Sequence, residues 1–227
     1  IGMGKARDAI LSRLRARHSF RPRPLPENPV RRFDWSAEVR LSRFREALEA
    51  VRGEVGLVGE DWPIHLSAWL SAKGANNLRY GAATELGREL EQGWPDGKAV
   101  RLISHHEPVE ICRQDLFNAT DAGLTGCLGG VAETGSLVLW PSLQEPRLLS
   151  LVPPIHVVVL DARRIFSTFH EFLVAEDWVG QGMPTNALLI TGPSKSADIE
   201  QTLAYGVHGP KELLVLVRQD PGLTKRV

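Results

Sequence analysis

Cysteine is scarce in this sequence: Cys112 and Cys127 are the two among 227 residues. Two thiols cannot supply the four thiolates that an iron–sulfur cluster normally needs, nor the disulfide framework of a small secreted domain. They read instead as small, partly buried hydrophobes in a reducing compartment. An excess of charge is missing as well. Lys and Arg total 27 and so do Asp and Glu, so no global field draws the chain to nucleic acid or to an anionic membrane. Long apolar runs are also absent. The most apolar stretch, Leu148 to Leu160, is broken by Pro153, Pro154 and His156, whereas a membrane-spanning helix needs about 20 apolar residues. No apolar segment follows the early charges, so no secretory signal is read and a cytoplasmic location is expected.

Several motifs are lacking. There is no HExxH and no CxxC, and His105 and His106 on one strand would face opposite ways, so no metal site is expected. No GxGxxG follows a strand, no GxxxxGK[ST] loop is present, and no GxSxG elbow appears, which argues against a dinucleotide fold, a P-loop and an α/β-type serine hydrolase. The six tryptophans are dispersed and suit packing rather than a base-stacking platform.

What is present is the composition of an ordinary globular protein, at a length that suits one domain with an N-terminal extension. The extension, residues 1–32, is basic: Lys5, Arg7, Arg13, Arg15, Arg17, Arg21, Arg23, Arg31 and Arg32 face only Asp8 and Glu27. A nucleic-acid arm or a presequence would fit such a run, but an amphipathic helix leading into a solvated linker is the preferred reading. Residues 4–17 read as that helix, with Ala6, Ala9, Ile10 and Leu14 on one stripe. Alternating prolines over Arg21–Pro29 then impose an extended arm, able to wrap a neighbouring subunit of a homo-oligomer or the body of the domain.

The domain proper is expected over 33–227. Its first half reads as a helix from Ser36 to Val51, with Ser36 as N-cap and Val39, Phe44, Leu48 and Val51 inward. A short helix is read over His65–Ala72, a strand over Asn76–Tyr80, a helix over Glu85–Gln92, a strand over Ala99–Ser104 and a glycine-weakened helix over Asp115–Gly126. The second half is more regular. Strands are read over Ser136–Trp140, Ile155–Leu160, Ala187–Thr191 and Glu212–Val217, with helices over Arg164–Glu176 and Asp198–Tyr205. Apolar, β-rich runs separated by helices predict an α/β fold with a mainly parallel sheet.

Three segments could carry chemistry. The first is Thr191–Gly192–Pro193–Ser194–Lys195–Ser196, which follows a predicted strand and opens a predicted helix. Free N–H groups at a helix start, the hydroxyls of Thr191, Ser194 and Ser196, and the charge of Lys195 would suit a carboxylate or phosphate outside the carboxyl end of a strand. The competing reading is a capped helix, with Asp198 and Gln201 as a capping box. The second is Gly206–Val207–His208–Gly209–Pro210, where His208 is either an acid/base group or a structural turn residue. The two turns would sit at opposite ends of the intervening helix, about 10 Å apart, too far to share one ligand. The third is Val131–Ser136, in which Glu133 is either a carboxylate nucleophile, base or ligand at the sheet edge, or part of a turn that needs Gly135 for its dihedrals.

These segments carry a resemblance. Gly192–Glu200 followed by Gly206–Pro210 is similar to the GPS[RK][TS]ADIE…GVHGP signature of the lactate-utilisation (LUD) domain family. Ala132–Ser136 resembles its AETG[TS] element, and Pro153–His156 resembles the start of the strand that follows it. The match covers about residues 110 to 218, with Lys195 and Ser196 in place of the more usual Arg and Thr. Lys keeps the charge but loses the bidentate geometry of Arg.

The resemblance implies a three-layer α/β/α fold similar to the NagB/RpiA/CoA-transferase superfamily, and a role in oxidising L-lactate to pyruvate. It also implies two iron–sulfur partners, one resembling a cysteine-rich CCG-domain protein and one joining a LUD-like domain to ferredoxin-type motifs. This chain lacks the ferredoxin cysteines, so it resembles the short C-type component, binding no cofactor itself. The expected role is an accessory subunit, with Thr191, Gly192, Ser194, Lys195 and Ser196 binding a small anion, Glu133 lining the cleft and His208 near a subunit contact or a second cleft. The alternatives are a stand-alone enzyme acting on a CoA ester or a sugar phosphate, with Glu133 as nucleophile or base, and a pure interaction module.

Overall fold

The computed structural model describes residues 3–17, 30–97, 100–106, 109–197, 203–205 and 209–219. The chain divides into two units, Ile1–Arg31 and Arg32–Val227. The first holds α1 (Met3–Arg17), where a helix is predicted. The arm expected over 21–29 lies outside the described residues.

The second unit contains helices α2 (Ala37–Ala50), α3 (Trp62–Ala72), α4 (Glu85–Gly93), α5 (Val109–Asn118), α6 (Arg147–Leu151), α7 (Phe169–Glu176) and α8 (Trp178–Gln181). Its strands are β1 (Glu54–Val58), β2 (Asn77–Tyr80), β3 (Arg101–Ser104), β4 (Ala122–Gly126), β5 (Gly129–Val131), β6 (Ser136–Leu139), β7 (Ile155–Asp161), β8 (Ile165–Phe166), β9 (Leu188–Ile190), β10 (Lys195–Ala197), β11 (Leu203–Tyr205) and β12 (Glu212–Arg218). Six of them form a wholly parallel sheet in the order β1-β12-β7-β4-β2-β3. The α/β architecture is therefore the one the strand–helix alternation predicts.

Both faces of this sheet are covered, which is why β7 is apolar throughout Val157–Leu160 rather than alternating. On one face Trp62, Leu66 and Leu70 of α3 and Leu90 of α4 pack on Leu78, Leu124, Val157, Val159, Leu214 and Leu216. On the other, Phe44 and Leu48 of α2 pack on Val158, Leu160, Val215 and Val217. Phe44 and Leu48 are fully buried, and each contributes about 1.5–3 kcal/mol of transfer free energy. This second face also carries a small mixed sheet, β8-β5-β6-β9, whose Leu137 and Leu139 join the same core.

Helix α2 begins as expected, with the Ser36 hydroxyl accepting from the Val39 amide. Its inward face is narrower than predicted, since Val39 and Val51 are exposed. Two segments differ more. The glycine-weakened helix expected over Asp115–Gly126 ends with α5 at Asn118, and Ala122–Gly126 is β4, at the centre of the sheet. A strand buried on both faces shows no alternation to reveal it. Gly123 is required there, because a Cβ would lie 2.3 Å from the Leu149 carbonyl oxygen of α6. Further along, Ile165–Phe166 is a strand before α7, and the helix expected over Asp198–Tyr205 is absent where described: Leu203–Tyr205 is β11, paired antiparallel with β10.

Candidate functional site

The tight turn between β5 and β6 holds Glu133. The Ala132 and Glu133 amides donate to the Phe166 and Ser167 carbonyls at 2.8 and 3.1 Å, and the Gly135 amide donates to Val131 O at 2.9 Å. Gly135 has φ +67°, and a Cβ there would lie 2.7 Å from the Leu48 amide nitrogen and 3.0 Å from the Ala47 carbonyl carbon. Only glycine lets this turn seat against the last turn of α2. Glu133 is half-buried on it.

From this turn a row of hydroxyls runs to the glycine-proline loop. Thr134 Oγ1 lies 2.7 Å from Ser136 Oγ, which lies 2.8 Å from Thr191 Oγ1. Gly192 follows at φ +151°, where a Cβ would come 2.8 Å from Val51 Cγ2. The Ser194 amide then donates to the Pro210 carbonyl at 2.8 Å, and a Cβ on Gly209 would come within 2.9 Å of Ser194 Cβ. Three motif segments thus meet, with Thr191 and Lys195 exposed at the junction. His208 lies outside the described residues.

This corrects three expectations. The loop at Ser194 and the Gly209–Pro210 turn are not about 10 Å apart but in contact, because β10 and β11 form a hairpin that returns the chain to where it left, whereas a helix would have carried it away. Nor is Lys195–Ala197 the lead into a helix: it is strand β10. The loop also lies at the other edge of the parallel sheet from the one expected. The strand before it, β9, belongs to the small sheet and runs antiparallel to β6. Pro210 immediately precedes β12, and the Lys211 amide donates to Pro154, just ahead of β7. The motif cluster therefore sits at the amino ends of the parallel strands.

At the carboxyl edge, sequence reasoning missed Glu145. The chain runs from β2 outward to β3 and from β4 the opposite way to β7, so a crevice opens between β2 and β4. Glu145 fills it: its Oε2 accepts from the Gly126 amide at 3.0 Å, and Gly81 fits beneath Gln144 because a Cβ would lie 2.6 Å from that carbonyl. Burial pushes the Glu145 carboxyl above its ordinary range, against the lowering effect of the Gly126 N–H. Nothing around Glu145 in the sequence marks it, since it follows an unremarkable exposed loop. Only the crossing of β2 and β4 gives it its place.

Beside it, Thr125 Oγ1 and His156 Nε2 are 2.9 Å apart in the core, and burial drives the imidazole down to about 3, so it is neutral at physiological pH. Thr125, Glu145, Arg147 and Ser150 border a cavity of about 10 Å³, room for a single water. Burial, with the Glu145 charge adding, pushes the Cys127 thiol well up, which keeps it protonated and unreactive. Among the described residues no three His, Cys, Asp or Glu side chains are grouped as a metal site would need. No described helix is long and apolar enough to cross a membrane.

Comparison with known proteins fits this architecture. The LUD domain matches residues 41–217. An uncharacterised protein of Neisseria meningitidis serogroup B is 37% identical over 221 residues, covering 93% of this chain and 92% of that protein. A protein of Deinococcus radiodurans named lactate utilization protein C is 39% identical over 103 residues, 44% of this chain and 48% of its own length, so this chain aligns with about half of that relative. A crystal structure of a DUF162 family protein from Deinococcus radiodurans has the same fold, with a TM-score of 0.57 at 24% identity over 82% of this chain and 99% of that one. On the match across residues 41–217 and the relative aligned along nearly its whole length, the chain belongs to the LUD domain family.

Proposed function

We propose that this protein is an accessory subunit of a bacterial L-lactate utilisation system, binding a small carboxylate or phosphate and organising iron–sulfur partner proteins. The observation that carries the ligand-binding half is the convergence of Ala132–Ser136, Thr191–Ser194 and Gly209–Pro210 through the Ser136–Thr191 and Ser194–Pro210 contacts. Segments separate in the chain are held together there with exposed polar groups, Thr191 and Lys195, at the rim. Thr191, Gly192, Ser194, Lys195 and Ser196 form the anion loop, and Glu133 stands on the neighbouring turn. The name of the Deinococcus relative supports lactate as the substrate of the system. Two cysteines in the whole chain support placing electron transfer in the partners.

The experiment is L-lactate-dependent reduction of an acceptor dye by cluster-loaded partner proteins, with and without this protein. Activity that requires the protein is the expected result. Partners that oxidise lactate equally well without it would remove the assignment.

A further inference from the structure

A cleft of about 480 Å³ opens at the carboxyl ends of β1, β12 and β7. Its cause is topological. The chain leaves β1 into α3, whose Trp62 packs on one face of the sheet, and leaves β7 into β8, whose Ile165 packs on the other. The two exits diverge and, among the described residues, leave the carboxyl end of β12 uncovered between them, the arrangement in which parallel sheets hold ligands. The volume falls within the range of about 300–1,000 Å³ usual for small-molecule sites.

The lining is charged, and its charges alternate. Glu89 Oε2 accepts from Arg218 Nη1 at 2.7 Å and from Trp62 Nε1 at 3.4 Å. Arg218 is also the cross-strand neighbour of Asp161, and Asp161 in turn takes Arg163 Nη2 at 2.7 Å. Hydrogen bonds from Arg163, with the Arg218 charge adding, hold the Asp161 carboxyl below its usual range. The row Glu89, Arg218, Asp161, Arg163 is joined by exposed Glu60 at the end of β1. Among the described residues, three carboxylates and two guanidiniums leave one negative charge. Of its five N–H donors, Arg218 gives one to Glu89 among the described residues.

We propose that this cleft binds an α-amino acid with a basic side chain, its carboxylate on Arg218 and its side-chain cation between Glu60 and the second oxygen of Glu89. Such a ligand carries one net positive charge and presents both signs, matching the lining in sum and in pattern. A phosphate dianion would meet surplus negative charge, and a monocarboxylate would leave Glu60 unanswered. The site stands apart from the lactate reading, which it neither needs nor supports.

The test is calorimetric titration of the full chain with L-arginine, L-lysine, agmatine and L-lactate. Saturable binding of the two amino acids is expected, with agmatine, which lacks the carboxylate, about tenfold weaker or worse. Arg218→Met and Glu60→Gln should each weaken L-arginine about tenfold while the thermal melt confirms folding. Glu60 lies on the exposed rim, so its variant keeps the test valid if Arg218→Met fails to fold. No saturable heat from either amino acid up to ~10 mM overturns the proposal. So does an unchanged affinity in Glu60→Gln, or agmatine binding as tightly as L-arginine.

Discussion

The side chains of Ser136 and Thr191, 55 positions apart, meet hydroxyl to hydroxyl at 2.8 Å and tie the β5–β6 turn to the loop that follows β9. The bond is partly buried, so each hydroxyl is costly to leave unpaired. A double-mutant cycle of Ser136→Ala and Thr191→Val should show a coupling of about 1 kcal/mol in urea unfolding. Strict additivity would mean that the contact holds nothing together.

Gly135 should tolerate no side chain. Its positive φ and the backbone of Ala47 and Leu48 within 3.0 Å of a new Cβ act together. Gly135→Ala is expected to cost at least about 2 kcal/mol, read from the urea midpoint, and a smaller loss would mean that α2 can retreat.

His156 should make stability depend on pH. Burial holds its folded value at about 3, whereas an exposed imidazole titrates near about 6.5. Between those values the unfolded chain binds a proton that the folded chain refuses, so acid favours unfolding. Stability from this group is complete above about pH 6.5 and falls toward pH 3, with about 2 kcal/mol lost from about pH 7 to about pH 5. In His156→Gln the slope of stability against pH should flatten across that window; an unaltered slope would assign the dependence to other groups.

Glu145 has the opposite sign. Its carboxyl is raised by burial, so the folded state keeps its proton longer and stability declines as pH climbs through the folded value. Glu145→Gln retains an acceptor for the Gly126 amide and removes the buried charge. At neutral pH its Tm should exceed that of the parent. A lower Tm would show that the ionised carboxylate is itself a stabilising contact.

Lys195 is exposed on β10, so solvent screens what it gives to a ligand. Lys195→Ala should weaken L-lactate or phosphate binding by about 0.5–1 kcal/mol, a few-fold change in Kd, with a loss that shrinks in high salt. Unchanged affinity by calorimetry would place the anion elsewhere.

Much of the fold was legible. The Ser36 cap, the apolar run of β7 and the closing strand β12 each carry a local signal that survives in the structure. Strand β4 was misread because a short, glycine-containing strand buried on both sides has neither the alternation of a half-exposed strand nor the length of a helix. The motif residues around Ser136 and Thr191 were visible as motifs, but their meeting was not. Glu145 and the row from Glu89 to Arg163 were not legible at all, since none belongs to a pattern of neighbours in the chain.

Family membership, the α/β class and the capped start of α2 follow from the sequence alone, because each depends on composition or on motifs and caps built from residues a few positions apart. Tertiary structure alone decided that Lys195–Ala197 pairs as a hairpin strand, that the motif cluster lies at the amino edge of the parallel sheet, and that a charged cleft opens at the carboxyl edge. Those outcomes depend on which strands pair and in which direction. That choice is made by burial of both sheet faces across the whole chain, and no local window of residues contains it.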